Sequence, residues 1–413
     1  MTDLNINIER LCARLTALGE VGALEGGGNC RLALTEEDRQ GRDLVVSWMH
    51  ALGLQVTTDQ IGNVIGVRPN AKGEIELPVL MGSHIDTVAT GGLYDGNLGV
   101  LAGLEVIEVL NEQRLQTERP VAVAFFTNEE GARFAPDMMG SGVSQGSMDL
   151  ATCLAATGID GTTVGEDLQR IGYAGDAACG TWRASAYFEL HVEQGPVLER
   201  GEFQIGAVTG VQGISWTEWT FRGQSNHAGT TPMNMRCDAG VVASQVVCFV
   251  RALAKQMGGS QVATVGAMTF APNLINVVPN KVTMTVDLRN TDETLLQQAE
   301  QATVEFVQGV AAAEGVTVAS RSLARFEPVR FDPQMVKLIE SSAQAMDLGV
   351  HCLPSGAGHD AQMFAPNCPT AMIFVPSVKG ISHNVKEFTS AQDIEAGSNL
   401  LLNVVLKTAQ EPA

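Results

Sequence analysis

Residues 77–99 constrain this chain more than any other stretch: Leu-Pro-Val-Leu-Met-Gly-Ser-His-Ile-Asp-Thr-Val-Ala-Thr-Gly-Gly-Leu-Tyr-Asp-Gly-Asn-Leu-Gly. Val79, Leu80 and Met81 form a short apolar run behind a proline, which reads as a buried strand of a parallel sheet, covered on both faces. A helical pattern opens at Leu98, with Val100, Leu101, Leu104 and Ile107 on its apolar side. Between strand and helix lie His84, Asp86 and Asp95, set among glycines. Groups just past the carboxyl end of a strand occupy the crevice where open α/β sheets place their sites. An imidazole and carboxylates there suit a metal such as zinc, which takes nitrogen and oxygen donors.

Residues 121–126 (Val-Ala-Val-Ala-Phe-Phe) form a second apolar run, so strand, helix and strand make a right-handed parallel unit whose strand ends open on one edge. The second run ends in Thr127-Asn128-Glu129-Glu130-Gly131. Side chains alternate along extended backbone, so the two adjacent carboxylates can hold different roles, one toward a metal and the other toward a substrate. A third run, 186–190, ends in His191, with Glu193, Gln194 and Gly195 beyond it. A strand at 371–375 precedes Gly380-Ile381-Ser382-His383, and Ser355-Gly356-Ala357-Gly358-His359-Asp360 is a glycine-rich polar loop. His84, His191, His227, His359 and His383 all stand in unusual local sequences, whereas His50 and His351 stand in plain ones. Three imidazoles and several carboxylates at strand ends fit two zinc-like ions better than one, because a single catalytic zinc normally takes three protein ligands. Two ions about 3.5 to 4 Å apart, bridged by a carboxylate, form a known hydrolytic arrangement.

The rest of the chain reads as two domains. Helices are expected at 8–18 and 35–51, two strands within 56–67, a helix near 333–346 and a last one capped by Ser390-x-x-Asp393; residues 132–182 give only weak helical signals. Between them, 214–221, 263–270, 281–288 and 316–323 read as strands, with helices at 238–257 and 291–314. That βαββαβ order is the ferredoxin-like pattern. The expected fold is therefore α/β: a mixed, mainly parallel sheet in a catalytic domain (1–211 and 330–413), with an inserted ferredoxin-like domain (212–329). Loops of the insert are expected to hold His227, Asn276 and Arg289.

With 413 residues, 45% of them apolar, the chain can supply two cores. Its formal charge of -20 argues against nucleic acid or anionic membrane as partners, since both need basic patches. No run reaches the length of a membrane span, and the first residues lack a basic segment followed by an apolar one. The 8 cysteines are scattered singly, which fits reduced thiols and a cytoplasmic protein.

Taken in order, Gly-Ser-His84-Ile-Asp86-Thr, Asp95-Gly, Asn-Glu129-Glu130-Gly-x-Arg-Phe, His191-x-Glu-Gln194-Gly-Pro, Asn226-His227-Ala-Gly-Thr-Thr-Pro, Gly-Ala-Gly-His359-Asp and Gly-Ile-Ser-His383 resemble the hydantoinase/carbamoylase group of dinuclear metal amidohydrolases, which is related to the dinuclear zinc aminopeptidases. The resemblance runs through nearly the whole chain. It implies two divalent ions per subunit, zinc before manganese, cobalt or nickel, held by His84, Asp95, Glu130, His191 and His383, with Asp95 bridging. It implies Asp86 as the carboxylate that orients the His84 ring, and Glu129 as the general base that carries a proton to the leaving nitrogen. It points to His227 as a catalytic donor, with Asn276, to the substrate's carbonyl oxygen or carboxylate, and to Arg289 as partner of that carboxylate, its planar fork matching two oxygens. Gln194, Gly358 and His359 would complete the pocket. The resemblance also implies a homodimer joined through the insert, which would act as a lid.

The activity implied is cleavage of the carbamoyl C–N bond of an N-carbamoyl amino acid, of the L-α or β-alanine type, to amino acid, ammonia and carbon dioxide. Allantoate, another small ureido acid, is the alternative substrate. An acyl-amino-acid deacylase, a peptidase and a non-catalytic binding protein of the same fold are further alternatives.

Overall fold

The computed structural model describes residues 4–411. The apolar spacing of Leu11, Leu15 and Leu18 folds as α1 (Ile8–Gly19), capped by the Asn7 side chain. Thr35 caps α2 (Glu36–Ala51), its side chain accepting from the Asp38 N–H. β1 (Gln55–Thr58) and β2 (Val64–Arg68) form an antiparallel pair. β3 (Val79–His84), α3 (Asn97–Glu112) and β4 (Val121–Phe126) follow, both strands buried along their whole length. The stretch with weak helical signals holds three short helices, α4 (Met139–Ser144), α5 (Leu150–Leu154) and α6 (Val164–Ile171). Then come β5 (Ala186–Val192), α7 (Val197–Gly201) and β6 (Ile205–Val211).

The next elements are β7 (Gly213–Arg222), α8 (Ala239–Met257), β8 (Val262–Thr264), β9 (Met268–Ala271), β10 (Lys281–Asn290), α9 (Glu293–Glu314) and β11 (Thr317–Phe326). β12 (Val329–Arg330), α10 (Pro333–Ala345), β13 (Val350–Ser355), α11 (Asp360–Phe364), β14 (Thr370–Val375) and α12 (Ala391–Ala409) complete the chain.

Contacts divide the chain at two crossings. One compact unit is Gly210–Val329; the other comprises the described residues on either side. The first crossing thus falls two residues ahead of position 212. In the larger unit the strand order is β1-β2-β4-β3-β5-β14-β6-β12, with β13 beside β6. β4, β3, β5 and β14 run parallel to one another, while β2 and β6 flank them antiparallel. The sheet is therefore mixed and mainly parallel at its centre, as the unbroken apolar runs require. β6 and β13 were not expected: Gly206, Gly210 and Pro354 hide them among loop-like sequence.

The smaller unit is a wholly antiparallel sheet in the order β11-β7-β10-β8, with β9 also on β10. Val282, Met284, Val286 and Leu288 alternate along β10 into a core shared with Val242, Val246, Ala299 and Val307 of the two helices. The strand expected at 263–270 is broken in two. Residues 265–267 oppose only Thr285 and Val286, the Thr285 N–H donating to the Ala267 carbonyl, so a bulge interrupts the ladder.

Candidate active site

Register puts the parallel strand ends level. His84 pairs opposite Phe126 at the end of β4, and His191 opposite Phe374 near the end of β14. Four chain segments therefore deliver their polar groups to one edge, the place expected for a site in such a sheet.

Asp95 is the hub. Its Oδ1 lies 3.4 Å from His84 Nε2 and 3.1 Å from His191 Nε2, and its Oδ2 lies 3.4 Å from His383 Nε2. Glu130 Oε2 is 3.3 Å from the same His383 nitrogen, and Glu129 Oε2 is 3.4 Å from His84 Nε2. Two donor groups share Asp95: His84, Asp95 and His191 form one, and Asp95, Glu130 and His383 the other. Burial alone would raise Asp95, but the imidazoles of His191, His383 and His84 outweigh it and hold the carboxyl well below the usual range. Burial likewise raises Glu130, with Asp95 adding to the shift, and pushes Glu129 well above the ordinary carboxylate value.

The ring orientations suit ligation. His84 Nδ1 donates to the Asp86 carbonyl at 2.9 Å, and His191 Nδ1 to the Val192 carbonyl at 2.8 Å. Carbonyls only accept, so in each ring Nδ1 carries a proton and Nε2, which faces Asp95, is the nitrogen that would take a metal in place of a proton. At His191 the Gly96 N–H also points at Nε2, 3.2 Å away. Gly96 has φ +66, and a Cβ there would sit 2.4 Å from the His84 ring, so only glycine lets this turn pass the imidazole. Asn128, Gln194 and His383 are non-glycine residues with positive φ, at 55°, 58° and 52°. Such strained backbone clusters where function sets the geometry.

Asp86 works differently from the expectation. Its main-chain carbonyl, not its carboxylate, orients His84, because the chain turns out of β3 immediately after the histidine. The carboxylate instead accepts the N–H groups of Glu129 (3.2 Å) and Glu130 (3.3 Å) and so fixes the paired glutamates. Behind β4, Arg42 donates to the Gly62 carbonyl and Thr127 Oγ1, and Asn63 accepts the Thr127 N–H.

Sequence reasoning missed Glu387. Its Oε1 accepts from the N–H groups of Tyr94 (3.2 Å) and Asp95 (3.1 Å), and its Oε2 from Ser382 Oγ, which also reaches Asp95 Oδ2. Its position four residues after His383 was the only signal. Glu189 was missed too. Although close to His191 and His359, it is engaged by Ser83 Oγ, the Tyr187 hydroxyl and the Ala361 N–H, and binds strands together rather than facing the hub.

Gln194 joins the site, its Nε2 donating to Asp95 Oδ2 at 2.9 Å. His359 is fully buried, bonded to Ser355 Oγ at 2.8 Å and edge-on to His191 with ring centres 4.6 Å apart; burial keeps its pKa well below the usual value, so the ring is neutral. It supports His191 from behind. Gly358, half-buried, packs against Met138, where a Cβ would come within 2.9 Å of the thioether methyl.

His227, Asn276 and Arg289 all belong to the smaller unit. His227 Nδ1 accepts the N–H groups of Gly229 and Thr230, at 3.0 and 3.2 Å, so Nε2 carries the proton on an exposed ring. Asn276 lies beside it: His227 bridges to Val277, and the Ala228 N–H donates to the Asn276 carbonyl. Arg289 is not in a loop. It sits within β10, its Nη2 3.0 Å from Asp287 and its guanidinium 5.8 Å over the Trp216 ring. The pairing of His227 with Val277 continues the β7–β10 ladder outward past Lys281, so Arg289 stands at the other end of a strand that spans about 26 Å over those eight steps.

An aspartate-centred histidine and carboxylate cluster at the carboxyl edge of a mixed α/β sheet defines a divalent-metal hydrolase. The chain belongs to peptidase family M20/M25/M40, which it matches over residues 80–407, and within it to the hydantoinase/carbamoylase amidases. It is 40% identical over 405 residues to an N-carbamoyl-L-amino-acid amidohydrolase of Rhizobium meliloti, covering 98% of this chain and 97% of that one. It is 35% identical to the allantoate amidohydrolase of Escherichia coli K12, covering 95% and 96%. A crystal structure of a hydantoinase/carbamoylase family amidase from Burkholderia multivorans superposes with a TM-score of 0.95 at 45% identity, covering 99% and 100%.

Proposed function

We propose that this protein hydrolyses the carbamoyl C–N bond of an N-carbamoyl amino acid, releasing the amino acid, ammonia and carbon dioxide, with two divalent ions, zinc foremost and manganese, cobalt or nickel as substitutes. The observation that carries the reading is Asp95, whose two oxygens face three imidazoles, one group on each side. The donor set fits such a pair: nitrogen lone pairs on His84 and His191, carboxylates on Asp95 and Glu130, and the His383 ring. Ions bound there would polarise a carbonyl oxygen and ionise water near neutral pH.

The chain's own groups do the rest. Glu129, beside His84 and held by the Asp86 carboxylate through its N–H, is placed to take a proton from the attacking water and deliver it to the departing nitrogen. His227 presents an Nε2–H fixed by two backbone donors, a group suited to the oxygen on which charge develops. Asn276 stands next to it as a second donor. Arg289 offers its planar fork to the substrate carboxylate, exchanging Asp287 for it. Because Arg289 and His227 lie at opposite ends of β10, one small substrate cannot span both from a single copy. A homodimer in which each copy lends His227 and Asn276 to the other resolves this. The eight free cysteines suit a reducing, cytoplasmic setting.

The test is ammonia release by the zinc- or manganese-loaded protein from N-carbamoyl-L-amino acids, N-carbamoyl-β-alanine and allantoate, each with a chelator control. Chelator-sensitive release from a carbamoyl amino acid is the expected result. Release from allantoate alone would transfer the assignment to the ureido acid of the E. coli relative. Silence on all three with metal bound would overturn the reading.

A further inference from the structure

Arg31 is a fully buried guanidinium, and among the described residues no carboxylate forms an ion pair with it. Its Nε donates to the Ile85 carbonyl at 2.8 Å, its Nη1 to the carbonyls of Leu18 and Val21 at 2.8 Å each, and its Nη2 to Asn97 Oδ1 at 2.9 Å. Its main chain exchanges bonds with Thr87, whose Oγ1 accepts the Arg31 N–H while its own N–H donates to the Arg31 carbonyl. Ile85 is the residue after His84, and Asn97 is two residues after Asp95. One side chain thus grips both ends of the glycine-rich segment on which His84 and Asp95 stand. Space for it is kept by Gly41 of α2, where a Cβ would approach Arg31 Cδ to 2.7 Å.

Burying a cation is costly, and carbonyls repay it only when several converge. Burial lowers the Arg31 pKa to about 10, with Asp38 and Asp86 opposing the shift, so the group stays charged at neutral pH. A neutral side chain could fill this space. None could reach four acceptors on three separate segments in one plane, which is what a guanidinium fork does.

We infer that Arg31 is a positioning residue for metal binding: it holds the segment between His84 and Asp95 in the spacing that the shared ion requires. Arg68 of β2 provides the comparison. It too is buried, but it bonds Asn111 and the Leu115 carbonyl, at the end of α3 away from Asp95, and braces neither the segment with His84 and Asp95 nor the strand end with the glutamates. The inference rests on the reading that His84 and Asp95 hold a divalent ion.

The experiment measures zinc affinity of the full chain by competition with a chromophoric chelator, well below the unfolding temperature, for wild type, R31K, R31A, R68K and H84A. R31K is expected to weaken zinc binding at least tenfold, R68K to leave it within threefold of wild type, and millimolar guanidinium to restore much of the affinity lost in R31A. A residue that merely fills the core would lower the melting temperature in both lysine variants without this split. Should R31K not fold, N97A removes one acceptor and keeps the cation; a several-fold loss of affinity supports the inference. Wild-type affinity in R31K, or in N97A when it stands in, overturns the inference while the metal reading stands. Wild-type affinity in H84A overturns the metal reading itself, and this inference falls with it.

Discussion

At the scale of single residues, Glu129 and Glu130 show how one strand end can hold two roles. They are adjacent, yet Glu129 approaches His84 and Glu130 approaches His383; the expected alternation along extended chain is not the cause, because β4 stops at Phe126 and the chain bends through Asn128 at a φ of 55° before both. Glu129→Gln keeps the shape and removes the base. Turnover is expected to fall by about 10² to 10⁴, the usual worth of general acid–base catalysis, while zinc content measured by atomic absorption stays at the wild-type value. Loss of metal together with activity would instead make Glu129 a ligand. The residues were legible where chemistry and local sequence were both unusual, as at Gly-Ser-His84 and Asn-Glu129-Glu130. Glu387 was not, because Val-Lys-Glu-Phe carries no sign that the carboxylate folds back onto the Tyr94 and Asp95 amides. Asp86 was legible as a residue but not in its role. The resemblance implied that its carboxylate orients the imidazole, and the turn after β3 put the carbonyl there in its place.

At the scale of elements, the site depends on strand ends that stop level and on loops that can turn tightly beside a ring. Gly96→Ala places a methyl against His84 at a φ of +66, and both effects act against the folded state. Unfolding in urea should show a loss of about 1 to 3 kcal/mol, the range for strained backbone, with weaker zinc binding as well. Ser390→Ala is the contrast. Ser390 caps α12 by accepting the Asp393 N–H at 3.1 Å, away from the hub, and its loss should cost about 1 kcal/mol with kcat and KM unchanged. A change in kcat for Ser390→Ala would mean that α12 helps to set the site. The buried parallel strands were legible because each is an unbroken apolar run followed by polar residues. The edge at β6 was not: β6 carries two glycines and its neighbour β13 a proline, and their strand character comes from their neighbours. Arg289 shows the same limit, since a polar residue near a strand's end reads equally well as the loop beyond it.

At the scale of the whole molecule, the smaller unit poses a counting problem that two copies solve. His227 and Asn276 share one end of β10, and Arg289 stands at the other. If both ends serve catalysis, they serve different substrates within one chain, and a twofold dimer makes each site complete by exchange. H227A and R289A should then each be nearly inactive alone. In a mixed dimer, one site would combine the intact Arg289 of the first variant with the intact His227 of the second, and the other site would carry both lesions. Equal mixing with full subunit exchange makes half of the dimers mixed, so activity should return to about a quarter of wild type, a number set only by the twofold symmetry. The measurement is ammonia release after co-refolding the two variants. Activity that stays at the level of the separate variants, with dimers demonstrated by sedimentation, would place His227 and Arg289 in the same site and require β10 to present both ends to one substrate.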